Sequence, residues 1–492
     1  MATHTLSKST YIRGLQCHKS LYLYKNRYFL RDRLSAEQLA KFKRGTDVGV
    51  LARDLFPGGV DLSPGAPSRY EIALKQTQEH ILSGTPVIYE ASFRAHQVLI
   101  LLDILVRDGD KWIACEVKSS RQLSATYYED AALQYWVMRE SGLDIKEFRL
   151  IHVNPDYVLQ DGLKLESYFK SVSVLEEVEA RYGAITSEVA RQIAVTRLSH
   201  SPAIPIGKKC FQPYACDFIG HCWKNIPSSR TMDLSDVPEE RRLDWLEQGW
   251  HTPADIPLSF LETREQQIQH SCHISGNDFI DKETLTDILQ QAGDHAILFS
   301  MMSAIPAVPL QTGTRPYEPL PYAYALLDPS SGALINSVAE APTLDLWSVW
   351  FRSLMTTIPA YGKMLVFDKP RMLRSLAALK TRIPQSVHLY DHIASEATDL
   401  LTIFTTKAYY PAKLRGDYSL SGVMRALGLP IEKEWQDYLR EPALLGAAYL
   451  DVQARDDKER IAFSGKLQAF QNYYLLAVQQ VYQRLQQAAQ SL

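Results

Sequence analysis

Apolar residues set among basic ones (Tyr11, Leu15, Leu21, Leu23 and Tyr24) give residues 5–60 a helical reading, and Pro57-Gly58-Gly59 ends that unit. A further helix is predicted over 71–82. Three stretches rich in β-branched and aromatic residues follow, at 87–93, 98–106 and 111–117, and predict strands. Asp108-Gly109 between the last two is a hairpin signal. The pattern then predicts a helix over 127–140, a strand over 148–153 and a long amphipathic helix over 172–198. From about 225 to 294 the chain is polar and mixed, with prolines at 227, 238, 253 and 257, and reads as a connector with some helix. A second patterned region opens near His295 with a strand over 296–301 and a proline-rich loop. It continues with a hairpin across 328–332, a strand over 364–367 and a closing helix over about 458–488.

Composition narrows the class without naming a chemistry. The 492 residues, 46% hydrophobic and 22% charged, suit two to four soluble domains and exclude collagen-like, disordered and coiled-coil chains. No apolar run approaches the roughly 18 residues of a membrane span. Residues 1–8 are polar, so no secretory signal is expected and a cytoplasmic location is. The net charge of −3 gives no global attraction to nucleic acid, yet residues 1–60 carry eleven Lys/Arg against four acids. Six cysteines are too few for a disulfide scaffold, and in a reducing compartment clustered cysteines bind metal or do redox chemistry.

The hairpin carries the most informative charges: Asp103 on one strand, Glu116 and Lys118 on the next. Side chains alternate faces along a strand, so Glu116 and Lys118 share a face with Ala114. A two-residue Asp108-Gly109 turn would set Asp103 opposite Ala114, diagonal to Glu116. Two carboxylates in an apolar sheet repel each other and lose hydration unless a divalent cation compensates. A Mg²⁺ or Mn²⁺ on Asp103 and Glu116 would polarise a phosphate and acidify a water, with Lys118 positioning that water or stabilising transition-state charge. Glu90, one strand earlier, is within reach of the same ion. A sheet edge with solvated charges is the alternative for all of them.

This D…E-x-K arrangement resembles the core of the PD-(D/E)xK nucleases. Similarity to their RecB-like branch implies a substrate contact from Gln134, in Asp130-Ala-Ala-Leu-Gln134. The chain departs from that branch at Met138, where a Tyr is usual, and at Gly49, where a His is often found. Cys210, Cys216 and Cys222 form Cys-x5-Cys-x5-Cys, with Cys17 far upstream, a spacing wider than zinc knuckles. It resembles the RecB-like nucleases with a four-cysteine [4Fe–4S] site. The resemblance implies that Cys17, Cys210, Cys216 and Cys222 hold a 4Fe-4S cluster that pins the ends of the nuclease domain. Zinc is the alternative occupant. Cys115 is expected in the core, and Cys272 belongs to no pattern. Near such a cluster, the basic residues of 1–60 would track a phosphate backbone.

Residues 295–492 resemble a ribonuclease-H-like, DEDD-type exonuclease domain, of a kind found behind such nucleases in bacterial proteins of unknown function. The resemblance rests on Ala307-Val-Pro309, Arg315-Pro-Tyr317, Asp399-Leu400, Tyr409-Tyr-Pro411 and Gly416-Asp-Tyr-Ser-Leu420. Two-metal catalysis needs clustered carboxylates. Ser300 and Met302 stand where two are expected, the stretch around Tyr474 has none, and only Asp399 remains. The domain is therefore expected to be catalytically degenerate and to bind DNA or a protein partner.

The expected architecture is α/β. It comprises a restriction-endonuclease-like nuclease core with an iron–sulfur staple (1–225), a connector (226–294) and a ribonuclease-H-like domain (295–492). The expected function is metal-dependent hydrolysis of DNA, on single strands or ends, in repair, recombination or defence against foreign DNA, with no membrane partner. An RNA nuclease and a non-catalytic nucleic-acid-binding subunit are the alternatives.

Overall fold

The computed structural model describes residues 5–490 apart from 228, 294 and 359–361. The fold is mixed α/β and divides into two compact units, residues 1–157 with 161–225, and residues 226–492 with 158–160.

In the first unit the order is β1 (Leu6–Ser7), α1 (Lys8–Gln16), α2 (His18–Asn26), α3 (Ala36–Ala52), β2 (Val60–Asp61), α4 (Tyr70–Leu82), β3 (Val87–Ala95), β4 (Val98–Asp108) and β5 (Lys111–Lys118). Then come α5 (Ala125–Glu140), β6 (Ile145–Val153), α6 (Leu165–Tyr168), β7 (Phe169–Ser173), α7 (Leu175–Thr196) and α8 (Ile219–Cys222). The expected helical run 5–60 is thus three helices bracketed by two short strands. A reciprocal Ser35–Gln38 capping box starts α3.

The strands form one sheet in the order β2-β3-β4-β5-β6-β7. The parallel β5–β6 step is bridged by α5, a crossover of the βαβ kind. Every residue of α5 from Asp130 to Met138 is buried, so this stretch of the helix has no face exposed to solvent.

The β4–β5 hairpin differs in register from the expected one. Asp108 pairs with Lys111, so the turn is Gly109-Asp110, with Gly109 at φ +65°, in the left-handed region open to glycine. The ladder ends at Ile104–Cys115, and its register makes Asp103 level with Glu116, not with Ala114. Beyond that point β5 leaves the edge of β4, and β1 takes the edge instead, pairing in parallel through Leu6–Val98 and Ser7–Leu99.

The second unit contains α9 (Glu239–Glu247), α10 (Arg264–Ser275), β8 (Phe279–Ile280), α11 (Lys282–Ala292), β9 (Ile297–Ala304), β10 (Leu320–Leu327), β11 (Leu334–Val338), α12 (Leu344–Thr357), β12 (Met364–Val366) and α13 (Lys369–Ala377). It ends with α14 (Ser386–Glu396), β13 (Ala397–Asp399), α15 (Leu400–Thr405), β14 (Tyr409–Tyr410), α16 (Leu420–Ala426), α17 (Gln436–Arg440), α18 (Ala443–Val452) and α19 (Asp457–Gln490). A five-stranded sheet runs β11-β10-β9-β12-β13, antiparallel at β9–β11 and parallel at β9, β12 and β13. Residues 226–294, expected as a connector, fold within this unit. Helices α9, α10 and α11 form there, and β8 pairs with β14. Among the described residues no helix is long and apolar enough to cross a membrane.

Candidate active site

Where β5 parts from β4, the side chains of both strands are left facing a gap. Asp103 fills part of it by accepting the Val117 N–H at 2.6 Å, a bond a backbone carbonyl would otherwise make. Glu116, 3% exposed, lies level with it. Glu90 sits at the same height on β3 with φ +54°, a strained conformation for a residue with a Cβ inside a strand. Three carboxylates therefore stand on three adjacent strands, as expected from the sequence. Glu90 is held by Arg53, 3.4 Å away.

Two ammonium groups converge on Glu116. Lys118 Nζ lies 2.8 Å from Oε1 and also contacts Asp130 on α5. Lys8 Nζ donates to both carboxylate oxygens, at 3.0 and 3.1 Å. In the sequence Lys8 counts only among the basic residues expected to track phosphate. The structure places it in the site because β1 occupies the vacated edge of β4 and Lys8 follows directly. Of the other basic residues in that segment, Arg13 and Arg31 both bind Asp217. Asp130 likewise carries no role in the sequence reading, although it shares the Gln134 helix face one turn earlier. Gln134 is fully buried beside Glu116 and favours its ionised form at a geometry short of a full hydrogen bond. Its amide nitrogen and oxygen have no other partner.

The charges are strongly interdependent. Burial, then the neighbouring Glu116 carboxylate, pushes Asp103 up to about 7. Burial would do the same to Glu116, but Lys118 and Lys8 outweigh it and hold that carboxyl well below the usual range. Burial works against the charge on Lys118, yet Asp130 and Glu116 raise its pKa. Burial alone accounts for most of the upward shift of Glu90. The site thus holds one ionised glutamate clamped by two lysines, next to an aspartate poised to lose its proton.

This donor set fits a hard divalent cation. Its oxygens are carboxylates, one of them already bears a positive group in Lys8 Nζ, and Asp103 would ionise in the presence of added positive charge. In the arrangement described, Glu90 is turned to Arg53 and Glu116 to the lysines. Among the described residues no three His, Cys, Asp or Glu are disposed to hold a metal ion.

The four predicted cysteines meet at a second place in the same unit. Cys17, Cys210, Cys216 and Cys222 line one small cavity with Ile204, Ile206 and Phe218. None forms a disulfide. Cys17 ends α1 and precedes α2, whereas Cys210 and Cys216 lie in the segment entering α8 and Cys222 is its last residue. That segment is folded on itself by Cys216 N–H donating to the Cys210 carbonyl at 2.8 Å. It is tied to α1 by Gln16, which donates to the carbonyls of Lys209 and Tyr214, and by the Arg13–Asp217 ion pair. Burial raises Cys216 and Cys222, and neighbouring thiols raise them further. Four soft sulfur donors around one cavity are of the kind that thiolate-bound metals and clusters use, although as placed here they are not disposed to hold one ion. Cys115 is buried in the sheet core as expected, and Cys272 is buried in the second unit.

In the second unit, Ser300 and Met302 share a face of β9, and Asp399 closes β13. Asp399 Oδ1 accepts the N–H groups of Asp368 and Leu401, at 2.9 and 3.0 Å, so it caps α15. Burial pushes it up to about 6.

Residues 297–419 match a family described as a domain of unknown function (DUF2779). No curated protein matches the chain. Among solved structures, one titled "Crystal structure of SSO0001" is similar at 12% identity over 32% of this chain and 74% of its own. With a TM-score of 0.13, that likeness carries no statement about the fold or the chemistry of this chain.

Proposed function

We propose that residues 1–225 form a metal-dependent nuclease of the RecB-like PD-(D/E)xK type with a restriction-endonuclease-like core. In this reading it hydrolyses DNA phosphodiesters on single strands or at ends, in repair, recombination or defence against foreign DNA. The observation that carries the reading is the grouping of Asp103, Glu116 and Lys118 at the point where β5 leaves β4, with Glu90 level beside them.

Asp103 and Glu116 would hold Mg²⁺ or Mn²⁺, with Glu90 as a third donor once released from Arg53. The bound ion supplies Lewis-acid polarisation of a phosphoryl oxygen and an acidified water. Lys118, fixed between Glu116 and Asp130, presents an ammonium group to the attacking water or to charge developing on the phosphate. The resemblance gives Gln134 a substrate contact, and its fully buried amide lies beside Glu116. Cys17, Cys210, Cys216 and Cys222 would carry a 4Fe-4S cluster that joins α1 to the segment before α8. The second unit is read as a ribonuclease-H-like domain whose metal-binding acids are lost. Asp399 supports this, since its carboxylate is spent as a helix cap.

End-labelled single-stranded DNA, duplex DNA and RNA of matched sequence, incubated with the protein and Mn²⁺, test the reading. The expected result is cleavage of DNA that disappears in Glu116→Ala. Equal cleavage by wild type and Glu116→Ala would overturn the site, and faster cleavage of RNA would overturn the substrate.

A further inference from the structure

The five-stranded sheet of the second unit has an open edge. It ends at β11, which pairs with β10 on one side only. Two flanking bonds show which backbone groups of β11 that pairing uses. Asp328 N–H donates to the Ala333 carbonyl and Ala339 N–H to the Tyr322 carbonyl, both continuing the β10–β11 register. Bonded and unbonded residues alternate along an antiparallel strand, so Ile335 and Ser337 turn their N–H and C=O groups to β10. Leu334, Asn336 and Val338 turn theirs outward, where among the described residues no backbone partner meets them. The opposite edge, β13, offers only three residues.

None of the usual devices blunts this edge. Leu334-Ile-Asn-Ser-Val338 has no charge and no proline, and its pairing with β10 has no bulge. Edge strands without such features pair readily with another strand. Asn336 bonds Asn472 of α19, which puts Leu334, Asn336 and Val338 on the α19 face of the sheet. Ser337 stands opposite Tyr324, whose hydroxyl lies 3.2 Å from that of Ser353 on α12, so Ile335 shares the α12 face. Leu334 and Ile335 are both exposed, one on each face.

We propose that β11 pairs antiparallel with β11 of a second copy of this chain, joining the two sheets across a two-fold axis at Asn336. The strand is self-complementary in that register. Leu334 would stand opposite Val338 of the other copy, Asn336 opposite its equivalent, and Ile335 opposite Ser337, with no like charges facing. The outward residues of the two copies would exchange about six backbone hydrogen bonds. Asn336 Nδ2 donates to Asn472 Oδ1 at 2.9 Å, and its Oδ1, which accepts from no described residue, is left for the amide of the other copy. Such a contact is isologous and closes at two copies. Five residues a side cover less than the roughly 1,000 Å² of a stable interface, so the dimer is a weak one, dissociating in the micromolar range. The inference stands independently of the nuclease reading.

The test is sedimentation equilibrium of the full chain from about 1 to 200 µM. The apparent mass should rise with concentration from 55.8 kDa toward twice that value. Val338→Pro deletes an outward N–H that β10 does not use. Leu334→Lys, at an exposed position, should fold normally and puts a charge on the edge. Each should weaken association by at least about ten-fold. Asn336→Cys should give an intermolecular disulfide on oxidation, since opposed Cα atoms would lie about 5.5 Å apart. Ser330→Cys, in the exposed hairpin loop, should give none. A single 55.8 kDa species throughout would overturn the proposal and leave the edge to a strand of another protein. So would association equally strong in wild type, Val338→Pro and Leu334→Lys, or a disulfide in Ser330→Cys and not in Asn336→Cys.

Discussion

Lys8 and Cys17 terminate the same helix at opposite ends. Lys8 is the first residue of α1 and grips Glu116, and Cys17 caps the end of α1 and lines the thiol pocket. Nine helical residues span about 13 Å as a stiff rod. Arg13 and Gln16 fasten its lower half to the segment that carries the other three thiols. Whatever the thiols bind therefore fixes where Lys8 stands.

The first prediction concerns that occupant. Protein purified without oxygen should be brown and contain about four irons per chain. Cys216→Ser should lose the iron and lower the melting temperature of the first unit. Through α1 it should also reduce DNA cleavage, although Cys216 touches none of the carboxylates. Stoichiometric zinc without iron would refute the cluster, and full cleavage by iron-free Cys216→Ser would refute the coupling.

A second prediction concerns Lys8. A cation binding to Glu116 must displace or share the place of its ammonium group. Lys8→Met should cost the metal-free protein about 1–2 kcal/mol, a moderate value because Glu116 keeps Lys118 and the Lys8 side chain is partly exposed. Mn²⁺ should then raise the melting temperature of Lys8→Met by more than that of wild type. Equal shifts in the two proteins would show that Lys8 does not compete with the ion.

The third follows from the aspartate held near neutrality. Asp103 has a folded pKa of about 7, against an unfolded value of about 4. A raised carboxyl pKa means that the folded state binds the proton more tightly. That contribution to stability is complete below about pH 4 and is lost as pH rises to about 7. Glu116 is shifted in the opposite direction, so its contribution is lost only in acid, well below that window. Metal-free wild type should therefore lose melting temperature between about pH 4 and 7. Asp103→Asn, which can still accept the Val117 N–H, should show a flatter profile. Parallel profiles in EDTA would contradict the assignment.

The fourth is a negative expectation for the second unit. Asp399→Ala should leave DNA cleavage by the full chain unchanged. Weakening its cap on α15 should cost about 1 kcal/mol, read as a lower melting temperature. Loss of cleavage with an unchanged melting temperature would mean that Asp399 acts in catalysis.

The parts of the site that are legible in the sequence are those written locally. β-branched strands around a hairpin expose Asp103, Glu116 and Lys118, and odd cysteine spacing exposes the thiol pocket. The hairpin register departs from expectation because two turns are open to the same residues, Asp108-Gly109 and Gly109-Asp110. The second puts Asp103 level with Glu116. Lys8 leaves no local trace. It reaches the site through a two-residue strand paired with residues more than ninety positions away, and no periodicity records such a partner. Residues 226–294 look like a connector because polar, proline-rich composition hides the short helices and the β8–β14 pair that fold there.

The parallel pairing of Leu6 with Val98 also has a consequence for the order in which a ribosome can complete this unit. The β3–β4–β5 meander is local and can form as it emerges, carrying all three carboxylates. Lys8, made earlier, must wait for Val98 and Glu116, and Cys17 must wait for Cys222. Closing loops of that length makes late steps slow. At about 5–20 residues per second, a nascent chain spends roughly 5–20 s between the synthesis of Glu116 and that of Cys222. During that interval every carboxylate of the site exists, but the far end of α1 has nothing to hold it. Helix α1 is among the last pieces of this unit to be fixed, so the charged groups of the candidate site are complete in the chain well before they are assembled in space.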